Sequence, residues 1–478
     1  MSAKAAQANL QKSNNSFKKR ILGFILAVVV IALFALLPPF EGLTEAGMAS
    51  IGIFIGAIIL FVLQVAPLAV SCLTLMMLMP YFKITDLTTI YAQFGGTSFF
   101  FVFFAFGVTG ALSQTTLPMR ISAAITKVSK GNPKVIVYGF NFAVCIISGF
   151  LSNFATLIMF YGIVLMFLQA ADRKPGESGL GRCLMIGLPM AAGTGGFISP
   201  AGSPGNLIAQ SLLEAEGIHI TFLNWFLMCL PFSLLAVFLL SFVLIRMFKP
   251  EPLPQEASDA VMAKRNELGP WEKKEKLAMI IIILTILFWF AGTWVPALNT
   301  TVIAAIACFL MFMPGIDLMN WKALVKETDW NLLFMVGSVA ITMGCVNSTG
   351  AMGWVMDKLF SGLGSLSPFV LFLIIGFVVC YLRVLIPTAP SVSAIFVPVM
   401  IGIAGIAGKQ YTTALSMIPV FWAGATMTLL YTEPIYLYTQ GSGYYTAGDL
   451  FKSGLIPTLL LIVITAAVFP FWFGLFGY

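Results

Sequence analysis

Between Gly193 and Asn206 the chain reads GTGGFISPAGSPGN, and no continuous helix can carry that stretch. Five glycines and two prolines fall within fourteen residues. Proline lacks the N–H that a helix needs, and glycine is too free to hold one. The flanking residues are apolar over membrane-crossing lengths. Non-helical backbone at membrane depth is tolerated only where it is buried in protein or lines a wet cavity. The stretch is therefore either a loop outside the membrane or part of a binding site within it.

Composition sets the setting. The 478 residues are 59% hydrophobic and 9% charged, against roughly 25% charged in an average soluble domain. This is the balance of an all-α polytopic membrane protein. The net charge of +7 comes mostly from loops, where Lys and Arg set topology, and gives no reason to propose a nucleic-acid partner. Seven cysteines (72, 145, 183, 229, 308, 345 and 380) lie singly in apolar segments, so neither disulfides nor a metal cluster is indicated. The single histidine, His219, falls in a loop, and a solvated residue there is favoured over a proton carrier.

Residues 1–20 are polar and form a tail ending in Lys18-Lys19-Arg20. Ile21–Pro39 then reads as an uncleaved first span rather than a signal peptide. Further apolar segments run at 46–65, 67–82, 98–116, 135–151, 154–171, 183–199, 204–213, 222–247, 277–297, 300–316, 331–348, 366–386, 391–407, 413–431 and 453–475. About 20 residues cross a bilayer, so several are too short to cross alone. Two close pairs, within 135–171 and 366–407, are either tight-turned spans or re-entrant hairpins. Read as hairpins, with the N-terminus cytoplasmic, they leave about eleven spans and a C-terminus outside. Twenty-two of the 26 Lys and Arg then face the cytoplasm of a cell (inner) membrane. Lys83, Lys358 and Lys409 lie outside, and Arg383 stays within the membrane. That balance satisfies the positive-inside rule. It fixes orientation but does not distinguish hairpins from paired spans. Residues 249–276 read as a solvated cytoplasmic linker loop between two halves, 21–248 and 277–478.

Those halves repeat. In the first, Ser152-Asn153-Phe154-Ala155-Thr156 joins the short helices of the pair, and the break at 193–206 follows. In the second, Thr388-Ala389-Pro390-Ser391 joins the pair, and a break at about 430–436, around Thr432-Glu433-Pro434, follows. Ser152–Gly162 aligns with Thr388–Pro398 without gaps, and Gly202-Ser203-Pro204 faces Thr432-Glu433-Pro434. By the charge balance the hairpins open on opposite sides. Inverted repeats with paired broken helices point to a secondary transporter with its site near the midplane. Chance similarity among apolar helices is disfavoured, because order, spacing and sidedness agree together.

Half-helix N-termini present free N–H groups and about half a positive charge, which suits an anionic substrate. Free carbonyls at the same breaks suit Na⁺. Candidate substrate-binding residues are Ser152, Asn153, Phe154, Gly202, Ser203, Pro204, Thr388, Ala389, Pro390 and Arg383. Ser148 and Ser152 lie one helical turn apart, and with Asn153 and the carbonyls near Gly202 they form a candidate Na⁺ site. The alternative for Ser148 is a bond back to its own helix. The second half lacks the matching hydroxyl and amide, so a second cation site is doubtful there. Intramembrane Arg383 defaults to function, either toward substrate or gating, or as a structural pairing or snorkelling group. Glu433 is a candidate for proton or cation coupling, or it stabilises a helix N-terminus. No organic cofactor is indicated.

These residues resemble the divalent anion:sodium symporter (DASS) family over nearly the whole chain. The family's Ser-Asn-Thr tip is met by Ser152-Asn153-Phe154. Its Gly-Ser/Thr-Pro-x-Asn break is met by Gly202-Ser203-Pro204-Gly205-Asn206, and its GSGY segment by Gly441–Tyr444. The resemblance implies a homodimer of scaffold and transport domains that carries dicarboxylate, tricarboxylate or sulfate anions as an elevator. The departures are Phe154 for Thr, Thr388-Ala389-Pro390 for the second Ser-Asn-Thr, and Glu433 in the second break. The second motif is closer to the family's exchanger branch, which places an arginine like Arg383 before it, although Pro390 departs even from that pattern. Exchange of carboxylates is therefore favoured over Na⁺ symport. An anion channel is a third reading, which saturable counterflow would exclude. An intramembrane enzyme lacks the constellation it would need.

Overall fold

The computed structural model describes residues 3–113, 115–386 and 388–478, and describes the backbone alone for residues 3–16 and a few isolated positions. Every regular element among the described residues is helical. The chain begins with α1 (Ala3–Leu36), so the polar tail continues as helix into the first apolar segment. There follow α2 (Glu45–Val62), α3 (Leu68–Leu78), α4 (Leu87–Phe94), α5 (Thr97–Ser113) and α6 (Leu117–Ser129). The first helix pair is α7 (Pro133–Ser148) and α8 (Asn153–Ala170). Helices α9 (Gly179–Gly195) and α10 (Pro204–Ala215) flank the first break, and α11 (Phe222–Phe248) follows. The second half runs α12 (Gln255–Glu267), α13 (Lys273–Ala291), α14 (Thr300–Met311), α15 (Trp321–Glu327), α16 (Trp330–Ser348) and α17 (Ala351–Leu359). The second pair is α18 (Pro368–Leu382) and α19 (Ala389–Ala407). Helices α20 (Thr412–Ala425) and α21 (Pro434–Gln440) flank the second break, and α22 (Ala447–Trp472) ends the bundle. Seven of the described helices are long and apolar enough to cross a membrane.

Packing sorts these helices into two groups. An outer group joins α1 to α2, α2 and α16 to α3, and α14 to α5. An inner group packs α7, α8 and α11 on α9, and α18, α19 and α22 on α20. Helix α10 packs on α19 within its own group and on α16 of the outer group. Helices α9 and α20 are buried along almost their whole lengths. A helix apolar all round belongs inside a bundle rather than on its surface. The two cross at Gly193 and Gly424, where a Cβ on Gly193 would lie 2.5 Å from the Gly424 carbonyl oxygen. Only glycine on both sides allows that approach.

The 249–276 segment differs from the solvated loop expected from its charges. Helix α12 lies within it, and Ala257 and Val261 are buried where the helix packs on α6 and α8. The stretch leading into it is also tied down. The Leu253 N–H donates to Gly131 O (3.0 Å) and Arg173 Nη2 to Pro252 O (2.7 Å). Glu251 accepts the Gly179 and Leu180 N–H groups at 2.8 Å each, at the start of α9. Mixed charge conceals this docking, since two buried small residues suffice to hold a short helix. The short helices α4, α6, α15 and α17 also lie in segments not read as spans, because each is too short to give an apolar run.

Partial burial pushes the Glu251 carboxyl up. The Leu180 and Gly179 N–H groups and the Arg173 charge outweigh it and hold the group below the usual carboxylate range. A depressed folded value stabilises the protein above the unfolded pKa of about 4.3 and loses that effect as pH falls through the folded value. Glu251→Gln should therefore melt below wild type at pH 7, with the gap narrowing below about pH 4 in a thermal unfolding series.

Candidate functional site

Breaking a buried helix frees backbone groups that must find partners. In the first break, residues 196–203, the partners are side chains. Asn206 Nδ2 donates to Gly196 O (2.6 Å) and Ser199 O (2.7 Å). Trp225 Nε1 donates to Phe197 O (3.1 Å) and Ser233 Oγ to Thr194 O (2.9 Å). In the second break, residues 426–433, the Tyr436 hydroxyl donates to Thr426 O (2.7 Å) and Thr432 Oγ1 to Leu429 O (2.7 Å).

The two breaks share one construction. Each follows a helix with an internal proline, Pro189 or Pro419, and each ends at a proline in the first turn, Pro204 or Pro434. Ser203 and Glu433 hold the same extended backbone before that proline (φ −144°, ψ 142° and φ −149°, ψ 145°). Asn206 and Tyr436 each stand two residues beyond it and reach back to the equivalent carbonyl at the start of the break. Motif reading does not mark either residue as a bridge. The equal proline spacing in the two halves is the sequence signal that does.

The first tip docks onto the first break. Ser148 Oγ donates to Ala192 O (2.6 Å), so it does not bond back to its own helix. In the amide orientation that satisfies its neighbours, Asn153 Nδ2 donates to Gly202 O (3.0 Å) and Ala192 O (3.2 Å). Gly202 sits over a nest of carbonyls. A Cβ there would lie 2.6 Å from Gly196 O, 2.9 Å from Gly149 O and 3.0 Å from Ser148 O. Ser152 stands apart from this nest: its hydroxyl caps α8 by accepting the Ala155 N–H (3.2 Å). Phe154, next along, is exposed and stands edge-on to Tyr438 of α21.

The second tip meets the first break. Thr388 Oγ1 donates to Ser391 Oγ (2.7 Å), Ala389 is buried and Pro390 half-buried. A Cβ on Gly205, in the first turn of α10, would lie 2.8 Å from Ser393 Oγ and 3.0 Å from Ala389 O. Ser393 Oγ is buried without a hydrogen-bond partner, as is Thr428 Oγ1 in the second break.

Arg383 follows α18 and is wholly buried. Its Nη1 donates to Trp422 O (2.8 Å) and Thr426 Oγ1 (3.2 Å), and its Nη2 to Glu433 Oε1 (2.8 Å). Glu433 Oε2 has no partner and faces the Gly193 crossing. Ala192 and Trp422 occupy equivalent positions, each twelve residues before the proline that closes its break, Pro204 or Pro434. The guanidinium thus holds, in the second half, the carbonyl that Ser148 and Asn153 hold in the first.

The starts of α8, α10, α19 and α21 therefore lie with their tips and breaks around two polar centres. This is the class of an integral membrane transporter with a site built from interrupted helices. The chain belongs to the family described as the sodium:sulfate symporter transmembrane region, which matches residues 18–478. That family transports rather than catalyses. The sodium-dependent dicarboxylate transporter SdcS of Staphylococcus saprophyticus is 23% identical over 96% of this chain and 93% of its own. The L-tartrate/succinate antiporter of Escherichia coli K12 is 23% identical over 94% and 97%. Among solved structures, the YdaH transporter of Alcanivorax borkumensis matches in fold, with a TM-score of 0.55 at 14% identity, over 82% of this chain and 88% of that one. The family description implies sodium, and the first centre fits a hard cation that takes oxygen ligands. Three carbonyl oxygens, of Gly196, Gly149 and Ser148, converge within 3.0 Å of the Cβ position of Gly202. The second centre does not fit one, because Arg383 already fills it and Thr432 replaces the glycine.

Removing one partner of a buried ion pair leaves an uncompensated charge and costs about 3–5 kcal/mol. Arg383→Met should destabilise the protein by that amount in chemical unfolding, and adding Glu433→Gln should recover most of it. Equal losses in the single and double variants would mean that the pair is not what orders the second break.

Proposed function

We propose that this chain is a secondary active transporter of small organic di- and tricarboxylate anions, of the C4-dicarboxylate, oxoglutarate or citrate type, and that it works by exchange. The gathered N-termini of α8, α10 and α19 support the anion: their N–H groups and dipoles bind carboxylates without a basic cage. The names of the two relatives, a dicarboxylate transporter and a tartrate/succinate antiporter, support the carboxylate class.

The observation that carries exchange is the Arg383–Glu433 pair. A symporter releases its cations and returns empty. The second centre here holds a cation that is part of the chain and already has its counter-charge at 2.8 Å. It has nothing to release. Swapping one dianion for another moves equal charge both ways and needs no releasable cation. A second reading, Na⁺-coupled symport of dicarboxylate or of sulfate, is favoured by the carbonyl nest under Gly202. There Ser148, Gly202, the neighbouring carbonyls and Asn153, with its amide turned to present Oδ1, would hold Na⁺, which would supply positive charge beside a bound anion.

In this reading about eleven helices span the membrane, and the pairs α7–α8 and α18–α19 are re-entrant hairpins of two inverted repeats. The N-terminus is cytoplasmic and the C-terminus outside. The outer helices are a dimerising scaffold, and the inner group moves against it as an elevator, with the α10–α16 contact as the sliding joint.

Proteoliposomes test this reading. Vesicles preloaded with succinate should take up labelled succinate in a saturable way without a Na⁺ gradient, and empty vesicles should not. Uptake into empty vesicles that requires Na⁺ would replace exchange with symport.

A further inference from the structure

Beside the first tip lies an aromatic group that anion binding leaves unused. Phe154 follows Asn153 in the first turn of α8 and is 47% exposed, while Tyr438 on α21 is 42% exposed. Their rings stand 6.0 Å apart at 72°. Tyr161, two turns further along the same face of α8, packs edge-on to Tyr438 at 4.9 Å and 64°. One side of the group thus belongs to the helix that starts at the first tip and the other to the helix that follows the second break. Tyr161 and Tyr438 do not bury an unpartnered hydroxyl. Ring faces with open hydroxyls suit a wet path better than hydrocarbon, where an unsatisfied polar group is costly.

We propose that Phe154, Tyr438 and Tyr161 form a shelf that selects carboxylate anions bearing a flat aryl group over small dianions without one. The proposal rests on the carboxylate reading above and names the substrate class within it. A carboxylate held at the start of α8 sits one residue from the Phe154 ring, so the group attached to that carboxylate meets an aromatic face. An unsubstituted dianion leaves these ring faces uncovered, whereas an aryl substituent gains edge-to-face or offset contact with one or two rings. Each such contact is worth about a three- to tenfold gain in affinity.

The test uses the full-length protein in detergent, with succinate and phenylsuccinate as probes in isothermal titration. Wild type should bind phenylsuccinate about tenfold more tightly than succinate, the sum of one or two such contacts. Phe154→Thr should abolish or reverse that preference, and Tyr438→Ala should reduce it about threefold, the loss of a single contact. The second variant keeps the test open if the first does not fold. Succinate binding with the same preference ratio in wild type and both variants, or no preference in wild type, would overturn the shelf alone. Binding of neither dianion would overturn the carboxylate reading and the shelf with it.

Discussion

Two buried helices are interrupted at the centre of this protein, and everything else is arranged around satisfying the backbone they leave bare. An unpaired buried amide or carbonyl costs about 1–3 kcal/mol, and each break exposes several. Asn206 and Tyr436 close the two breaks from equivalent positions with different chemistry, one with an amide and the other with a phenol. The glycine crossing at Gly193 and Gly424 then locks the interrupted helices against each other. Tips, breaks and N-termini meet because that crossing brings them within reach.

The halves share a scaffold but not a charge strategy. In the first, the Ser148 hydroxyl and the Asn153 amide donate to neutral carbonyls of the break, and three more carbonyls converge under Gly202. In the second, a guanidinium occupies the corresponding carbonyl and is balanced by Glu433. A buried pair of this kind stabilises only while both charges remain, and it adds specificity of arrangement rather than net affinity. The asymmetry separates a centre built from neutral donors and carbonyls from one filled by a charge that belongs to the chain.

Much of this is legible in the residues. Glycine and proline at membrane depth mark the first break, and the repeated tip-then-break order marks the second, because those residue types fail in helices for reasons independent of context. Helical spacing groups Ser148 with Ser152, and the tip and break motifs bring Asn153 and Gly202 to them. Contacts set by packing are not legible in this way. The pairing of Arg383 with Glu433 joins residues fifty positions apart, and sequence leaves it open beside a substrate role. The grouping with Ser148 makes Ser152 a candidate cation ligand, but the structure uses its hydroxyl to cap α8. The α12 segment looks solvated because charge dominates its composition, while two small buried residues hold it in place.

If the second centre is filled by Arg383, there is room for at most one Na⁺ beside the anion, and the first centre is its candidate place. Titrating Na⁺ against the succinate-induced thermal shift of the purified protein, in wild type and Gly202→Ala, reads that stoichiometry. The expected result is a Na⁺ dependence of slope between zero and one, with any dependence present lost in Gly202→Ala, whose Cβ would crowd the carbonyl nest. A slope of two, or an unchanged Na⁺ response in Gly202→Ala, would show that a cation binds elsewhere.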